Sequence, residues 1–160
     1  MDRCFRHLKT HLKGKVVILG IGNTLKSDDG AGPFLVKRIK DKVNFSAMDA
    51  GTCPENYLGK IIKEGPDTVV IIDAADFGGS PGEFRIFEAK QVNSLNLFST
   101  HNASISLTVN YLRSNLKVNI IILMIQPKTI VLGDRLSPEI IKSIDILADW
   151  FFQLAGSASS

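Results

Sequence analysis

The sequence predicts an α/β protein: a three-layer αβα sandwich around a twisted, mostly parallel sheet of about five strands with an antiparallel edge. Three observations predict it. Short apolar runs rich in β-formers recur at residues 16–20, 68–72 and 118–125, and stretches with helical periodicity separate them. The run Thr68, Val69, Val70, Ile71, Ile72 is continuously β-branched, which suits a strand covered on both faces. Several strands end in glycine or a carboxylate, the signature of an open sheet whose carboxyl edge faces a crevice.

The chain divides into a basic N-terminal extension (1–14), one domain (15–155) and a short tail (156–160) expected to be disordered. Up to Lys15 it carries Arg3, Arg6, Lys9, Lys13 and Lys15 against Asp2, a local +4 that exceeds the net charge of +3 and leaves the rest of the chain at −1. Phe5, Leu8 and Leu12 share one side of a helix in this segment, which predicts an amphipathic helix packed on the domain. His7 and His11 lie at i, i+4, a metal-capable spacing, but the surrounding lysines and arginines favour a solvated face.

The first strand leads into Gly20, Gly22 and Asn23, which permit a tight turn with positive φ. Asp28 and Asp29 follow, then Gly30, Ala31, Gly32 and Pro33, and a helix over residues 33–42. Capping explains one of the two acids. Two neighbouring carboxylates repel unless a cation or a donor network sits between them. The third glycine of a dinucleotide fingerprint is absent, Leu25 standing in its place, which argues against nucleotide binding.

A second strand, 43–48, ends in Asp49, and Pro54 opens a helix carrying Tyr57, Leu58, Ile61 and Ile62. The third strand, 68–72, ends in Asp73. Pro81-Gly82 precedes an alternating segment, 83–88, read as a hairpin-like excursion and the antiparallel edge. A polar, irregular linker (89–100) leads to His101 and a helix capped by Asn102 or Ser104. After the strand 118–125, a long amphipathic helix starts near Ser137.

Composition narrows the function. An apolar fraction of 44% and a charged fraction of 22% are those of an ordinary globular domain. The charge pattern does not make a nucleic-acid face, and no apolar run reaches the roughly 18 residues of a membrane span. Without a secretory signal, the expected location is cytoplasmic. Cys4 and Cys53 form no metal or disulfide framework. Cys53 with His101 as base is a minor alternative, and neither a G-x-S-x-G elbow nor an H-E-x-x-H helix occurs. Asp29, Asp49 and Asp73 each follow a strand, so parallel neighbours bring them to one edge, where His101 can join them. Carboxylates plus imidazole suit a divalent transition metal with open positions. Each acid alone also reads as a cap or an Asx-turn.

Together these motifs resemble a family. Gly20-Ile21-Gly22-Asn23, Asp28-Asp29-Gly30-Ala31-Gly32-Pro33, Asp49-Ala50-Gly51-Thr52-Cys53-Pro54-Glu55-Asn56, Asp73-Ala74-Ala75-Asp76-Phe77-Gly78, Pro81-Gly82-Glu83-Phe84-Arg85 and Ser99-Thr100-His101-Asn102 resemble the nickel–iron hydrogenase maturation endopeptidases. The resemblance is to the branch that processes the large subunit of hydrogenase 3, the formate hydrogenlyase type. It implies a protease that removes the C-terminal extension of a large-subunit precursor after nickel insertion. It implies that Asp29, Asp73 and His101 contact nickel, with Asp28 and Asp49 as further acids of the cleft. Nickel would arrive in the substrate, with zinc or cadmium as surrogates. The catalytic acids would be Asp29, Asp49 and Asp73. The metal either checks the substrate, or polarises the scissile carbonyl or activates water, or only positions the chain while Asp49 acts as base. The expected partner is the nickel-loaded precursor, with no nucleic acid, no membrane insertion and a monomeric state. The alternative is a non-cleaving, nickel-dependent binding or chaperone module.

Overall fold

The computed structural model describes residues 2–92 and 99–158. Its sheet has five strands: β1 (Val16–Ile21), β2 (Ser46–Gly51), β3 (Thr68–Ala74), β4 (Phe84–Glu88) and β5 (Asn119–Ile125). Their spatial order is β2-β1-β3-β5-β4. All neighbours run parallel except β4, which pairs antiparallel with β5 at the edge. The expected hairpin-like excursion is no hairpin, because β5 lies between β3 and β4 and a helix (Asn102–Asn115) separates β4 from β5 in the chain. Pro81-Gly82 turns the chain over the end of β5, with Gly82 at φ 86° and its amide donating to the Gln126 carbonyl.

The helices are α1 (Asp2–His11), α2 (Ala31–Ile39), α3 (Leu58–Glu64), α4 (Asn102–Asn115) and α5 (Pro138–Ala158). Side chains of alternate strand residues divide the core in two. Val16, Ile18, Val70, Ile72, Leu123 and Ile125 pack with α2, α5 and Leu8 of α1. Val17, Leu19, Val69, Ile71, Ile122 and Met124 pack with α3 and α4. β1 and β3 are buried along their whole length, which explains their unbroken apolar composition.

Several boundaries move. α2 begins at Ala31, because a 3-10 turn (Ser27–Gly30) feeds straight into it. β2 lies at Ser46–Gly51 rather than 43–48, since pairing with β1 sets its register. Pro54 starts a 3-10 turn (Pro54–Tyr57) before α3. α4 has His101 at its N-cap position, with neither Asn102 nor Ser104 capping it. Within the expected linker, Ala89–Gln91 form a 3-10 turn; residues 93–98 lie outside the described residues. α5 continues through Ala158, beyond the expected helix end, and residues 159 and 160 lie outside the described residues.

The sheet reverses direction between β1 and β3: from β1 the chain crosses outward to β2, and from β3 it runs the other way. A crevice opens at such a switch point beyond the carboxyl ends of the two strands. Two glycines keep it tight. A methyl group on Gly32 would lie 2.5 Å from the carbonyl oxygens of both Ile21 and Ile72, so no side chain fits between α2 and the strands. One on Gly22 would collide with the Asp29 carbonyl oxygen. Close approach is therefore what these glycines supply. Of the three residues expected to allow positive φ at this turn, only Gly22 has it, at 154°, while Gly20 and Asn23 do not; Ser27, which was not expected to, has φ 51°.

Candidate metal centre at the switch point

The crevice gathers Asp29, Asp73 and His101, each buried. Asp29 comes from the turn after β1, Asp73 from the end of β3, and His101 from the entrance to α4. One ligand atom from each lies within 4.8 Å of the others. The imidazole sits between the carboxylates, with Nδ1 3.3 Å from Asp73 Oδ1 and Nε2 3.9 Å from Asp29 Oδ2.

Neighbouring donors fix each member. Asp73 Oδ1 accepts the Ala74 amide at 2.9 Å, and Oδ2 accepts the Ser99 hydroxyl. The Ser99 Oγ also receives the His101 amide at 3.0 Å. Asp29 Oδ2 accepts the Asn23 amide at 3.0 Å, and Oδ1 accepts the Thr100 hydroxyl at 3.3 Å. Ser99 and Thr100 thus orient the carboxylates. Sequence reasoning gave them no role, although their place directly before His101 was the available signal.

The electrostatics follow from burial and proximity. Burial pushes the Asp73 pKa up, and its contacts with His101 and Ser99 only partly counter this; the Asp29 charge adds to the rise. Burial acts against charge on His101, but Asp73 and then Asp29 outweigh it, so the imidazole is raised above its ordinary value. The group holds a proton firmly. Two carboxylates and an imidazole also match the donor preferences of nickel and zinc.

Asp28 is next in sequence to Asp29 but does different work. It is fully buried and accepts four hydrogen bonds: from the amides of Lys128 (3.0 Å), Thr129 (3.1 Å) and Ser137 (2.7 Å), and from the Ser137 hydroxyl (2.8 Å). That donor network is why two adjacent acids coexist. Ser137 precedes the first turn of α5, so the carboxylate also meets the positive end of that helix. Ser27 adds its hydroxyl to the Val131 carbonyl and its amide to that of Gly133. The loop between β5 and α5 is thereby held against the crevice.

Asp49 is not brought into the group. It pairs across the sheet with Gly20, and Gly20 with Ile72, so Asp49 shares the face of Ile72, opposite to that of Asp73. It is exposed, accepts the Gly51 amide, and lines clefts with Lys40 and Tyr57 or with Phe34 and Lys37. Cys53 is exposed, with its sulfur 3.8 Å from the Thr52 hydroxyl. A cleft beside the triad is lined by Asp29, Ala74, Asp76, Thr100, Pro127 and Ile130. Gln126, unremarked in the sequence, braces its wall: Oε1 accepts the amides of Phe77 and Gly79, and Nε2 donates to Asp76.

Comparison with known proteins converges on one family. The profile of the HycI hydrogenase maturation proteases matches residues 33–152. The chain is 38% identical over 116 residues to the hydrogenase 3 maturation protease of Escherichia coli K12, covering 69% of this chain and 72% of that protein. It is 35% identical over 154 residues to a putative hydrogenase maturation protease of Methanocaldococcus jannaschii, covering 83% and 90%. Among solved structures, a [NiFe] hydrogenase maturation protease from Thermococcus kodakarensis superposes with a TM-score of 0.84 at 30% identity, covering 94% of this chain and 99% of that one. The E. coli endopeptidase HycI superposes at 0.78 with 28% identity, covering 88% and 90%. The α/β fold with its crevice, and the extent of these matches, lead to one conclusion: the chain belongs to the hydrogenase maturation protease family and is a hydrolase.

Proposed function

We propose that this protein removes the C-terminal extension of a nickel–iron hydrogenase large-subunit precursor once nickel is in place, and that it reads the nickel through Asp29, Asp73 and His101. The observation that carries this reading is the convergence of those three buried side chains at the switch-point crevice. Nickel belongs to the substrate here. The protein supplies a pre-oriented set of three donors, which leaves coordination positions for the precursor's own ligands and for water. A precursor lacking nickel offers the buried carboxylates nothing to bind, so the acids discriminate loaded from unloaded chains. Nickel bound there lies next to the cleft and can polarise a carbonyl or lower the pKa of water.

His101 must give up its bound proton for a nitrogen to reach the metal, and Asp73 keeps the ring oriented while it does so. Asp49, on the opposite face, does not share the nickel in this reading, and its role is confined to the rim. Beside the cleft, Leu25, Val131 and Leu132 are 64%, 67% and 84% exposed, an apolar shoulder suited to gripping an extended polypeptide. No described helix is long and apolar enough to cross a membrane.

The test is mass spectrometry of a nickel-loaded large-subunit precursor incubated with the protein. The expected result is release of one C-terminal peptide, abolished in His101→Ala and Asp73→Asn and retained in Asp49→Asn. Cleavage surviving both triad substitutions would reject the nickel-reading role.

A further inference from the structure

We propose that His7, His11 and Glu88 form a second metal site, independent of the crevice, which takes a zinc-class divalent cation and ties the N-terminal helix to the edge strand β4. His7 and His11 lie one turn apart on α1, with ring centroids 4.4 Å apart. Glu88 ends β4 and reaches them from the sheet. One ligand atom from each of the three lies within 4.8 Å of the others.

The hydrogen bonding of His11 directs its lone pair. Nδ1 lies 2.8 Å from the His7 carbonyl oxygen, which can only accept, so Nδ1 donates. In the neutral ring Nε2 is then the unprotonated nitrogen, and it faces Glu88 Oε1 at 3.6 Å. That separation is too long for a hydrogen bond. It is close to the roughly 3.4 Å that a tetrahedral ion with bonds of about 2.0–2.2 Å imposes on its ligand atoms. A backbone carbonyl that fixes the far nitrogen is also the usual support of a metal-binding imidazole. The Glu88 carboxylate is held in place: Oε2 pairs with Lys90 at 3.1 Å, the Gln91 amide donates to the side chain, and Oε1 faces His11. The Glu88 amide is tied to the Gln91 side chain in a capping box.

The donor set decides the metal class. Two imidazoles and one carboxylate suit zinc, nickel or cobalt and leave a fourth position for water. With one carboxylate and two imidazoles the site lacks the oxygen ligands that magnesium and calcium require. A metal here would join residues 11 and 88, fastening the segment that sends Leu8 into the core.

The test is zinc titration by calorimetry of the metal-free full chain carrying His101→Ala and Asp73→Asn, which disables the crevice. One equivalent of zinc is expected. Adding His7→Ala, His11→Ala or Glu88→Gln should weaken it by more than the roughly 10–100-fold that outer-shell changes cost. Cobalt(II) should give the d–d absorption of a tetrahedral site, and magnesium should give no heat. Zinc should raise the melting temperature only when both histidines are present, with circular dichroism of the metal-free variants checking that each folds. No zinc bound in the crevice-disabled chain, or zinc retained after loss of either histidine, would overturn the proposal.

Discussion

Asp73 and His101 each bind a proton more tightly in the folded chain than in the unfolded one. Both shifts therefore act with one sign: the folded state holds more protons, and stability falls as pH rises. The His101 contribution is complete below about 6.5, its unfolded value, and is lost as pH passes its raised folded value. Asp73 adds to the loss from about pH 4 upward, as its buried carboxyl is forced to ionise. The lowered pKa values of exposed Asp76, Glu88 and Glu139 act only at more acidic pH. The urea midpoint of the metal-free protein should fall between about pH 5 and pH 8, and Asp73→Asn should flatten that slope. A midpoint that climbs over this range would contradict the proton-holding site. The group of Asp29, Asp73 and His101 was legible only in part: strand ends and a loop histidine put these three and Asp49 at one edge, and the family resemblance alone singled out the three that the structure brings together. The division of labour between Asp28 and Asp29 was not legible, since the partners of Asp28 lie 100 and 109 residues away. Asp49 misled for a related reason: the sequence suggested that it follows a strand, but it lies within β2, and the face it takes depends on register.

Among the elements, α1 shows most plainly what periodicity can and cannot reveal. Its apolar spacing predicted an amphipathic helix packed on the domain, although its lysines and arginines gave no sign of how deeply it is buried. In the fold Leu8 is fully buried in the core, Phe5 meets Trp150 edge-on at 5.2 Å, and Trp150 meets Phe84 at 5.3 Å. The Thr68 hydroxyl donates to the Lys13 carbonyl at 2.8 Å, closing the segment onto β3. Leu8→Ala should therefore destabilise the protein by about 2–5 kcal/mol, as for a buried leucine, where an appendage would cost almost nothing. Equilibrium denaturation measures this, and a loss below about 0.5 kcal/mol would return α1 to the status of an accessory. β1 and β3 were legible as unbroken apolar runs. β2 was displaced by three residues because only its pairing with β1 fixes where it begins.

At the scale of the molecule, alternation of strands and helices specified the layers and the antiparallel edge, while the order of strands came only from their pairing. That order places the crevice between β1 and β3 and sets the apolar shoulder beside it. If the shoulder grips the precursor, Val131→Ser with Leu132→Ser should raise KM for cleavage severalfold and leave kcat and the melting temperature nearly unchanged. Steady-state processing of loaded precursor would show it, and an unchanged KM would remove the shoulder from substrate binding. The Asp28 clamp has a temporal consequence as well. Its carboxylate is synthesised 109 residues before the Ser137 groups that neutralise it. At about 5–20 residues per second, the nascent chain carries that acid without its native donors for roughly 5–20 s. Until they are made, Asp28 has none of the four hydrogen bonds that hold it in the folded chain. The turn laid down after β1 is therefore completed only when the start of α5 has been made, 109 residues later.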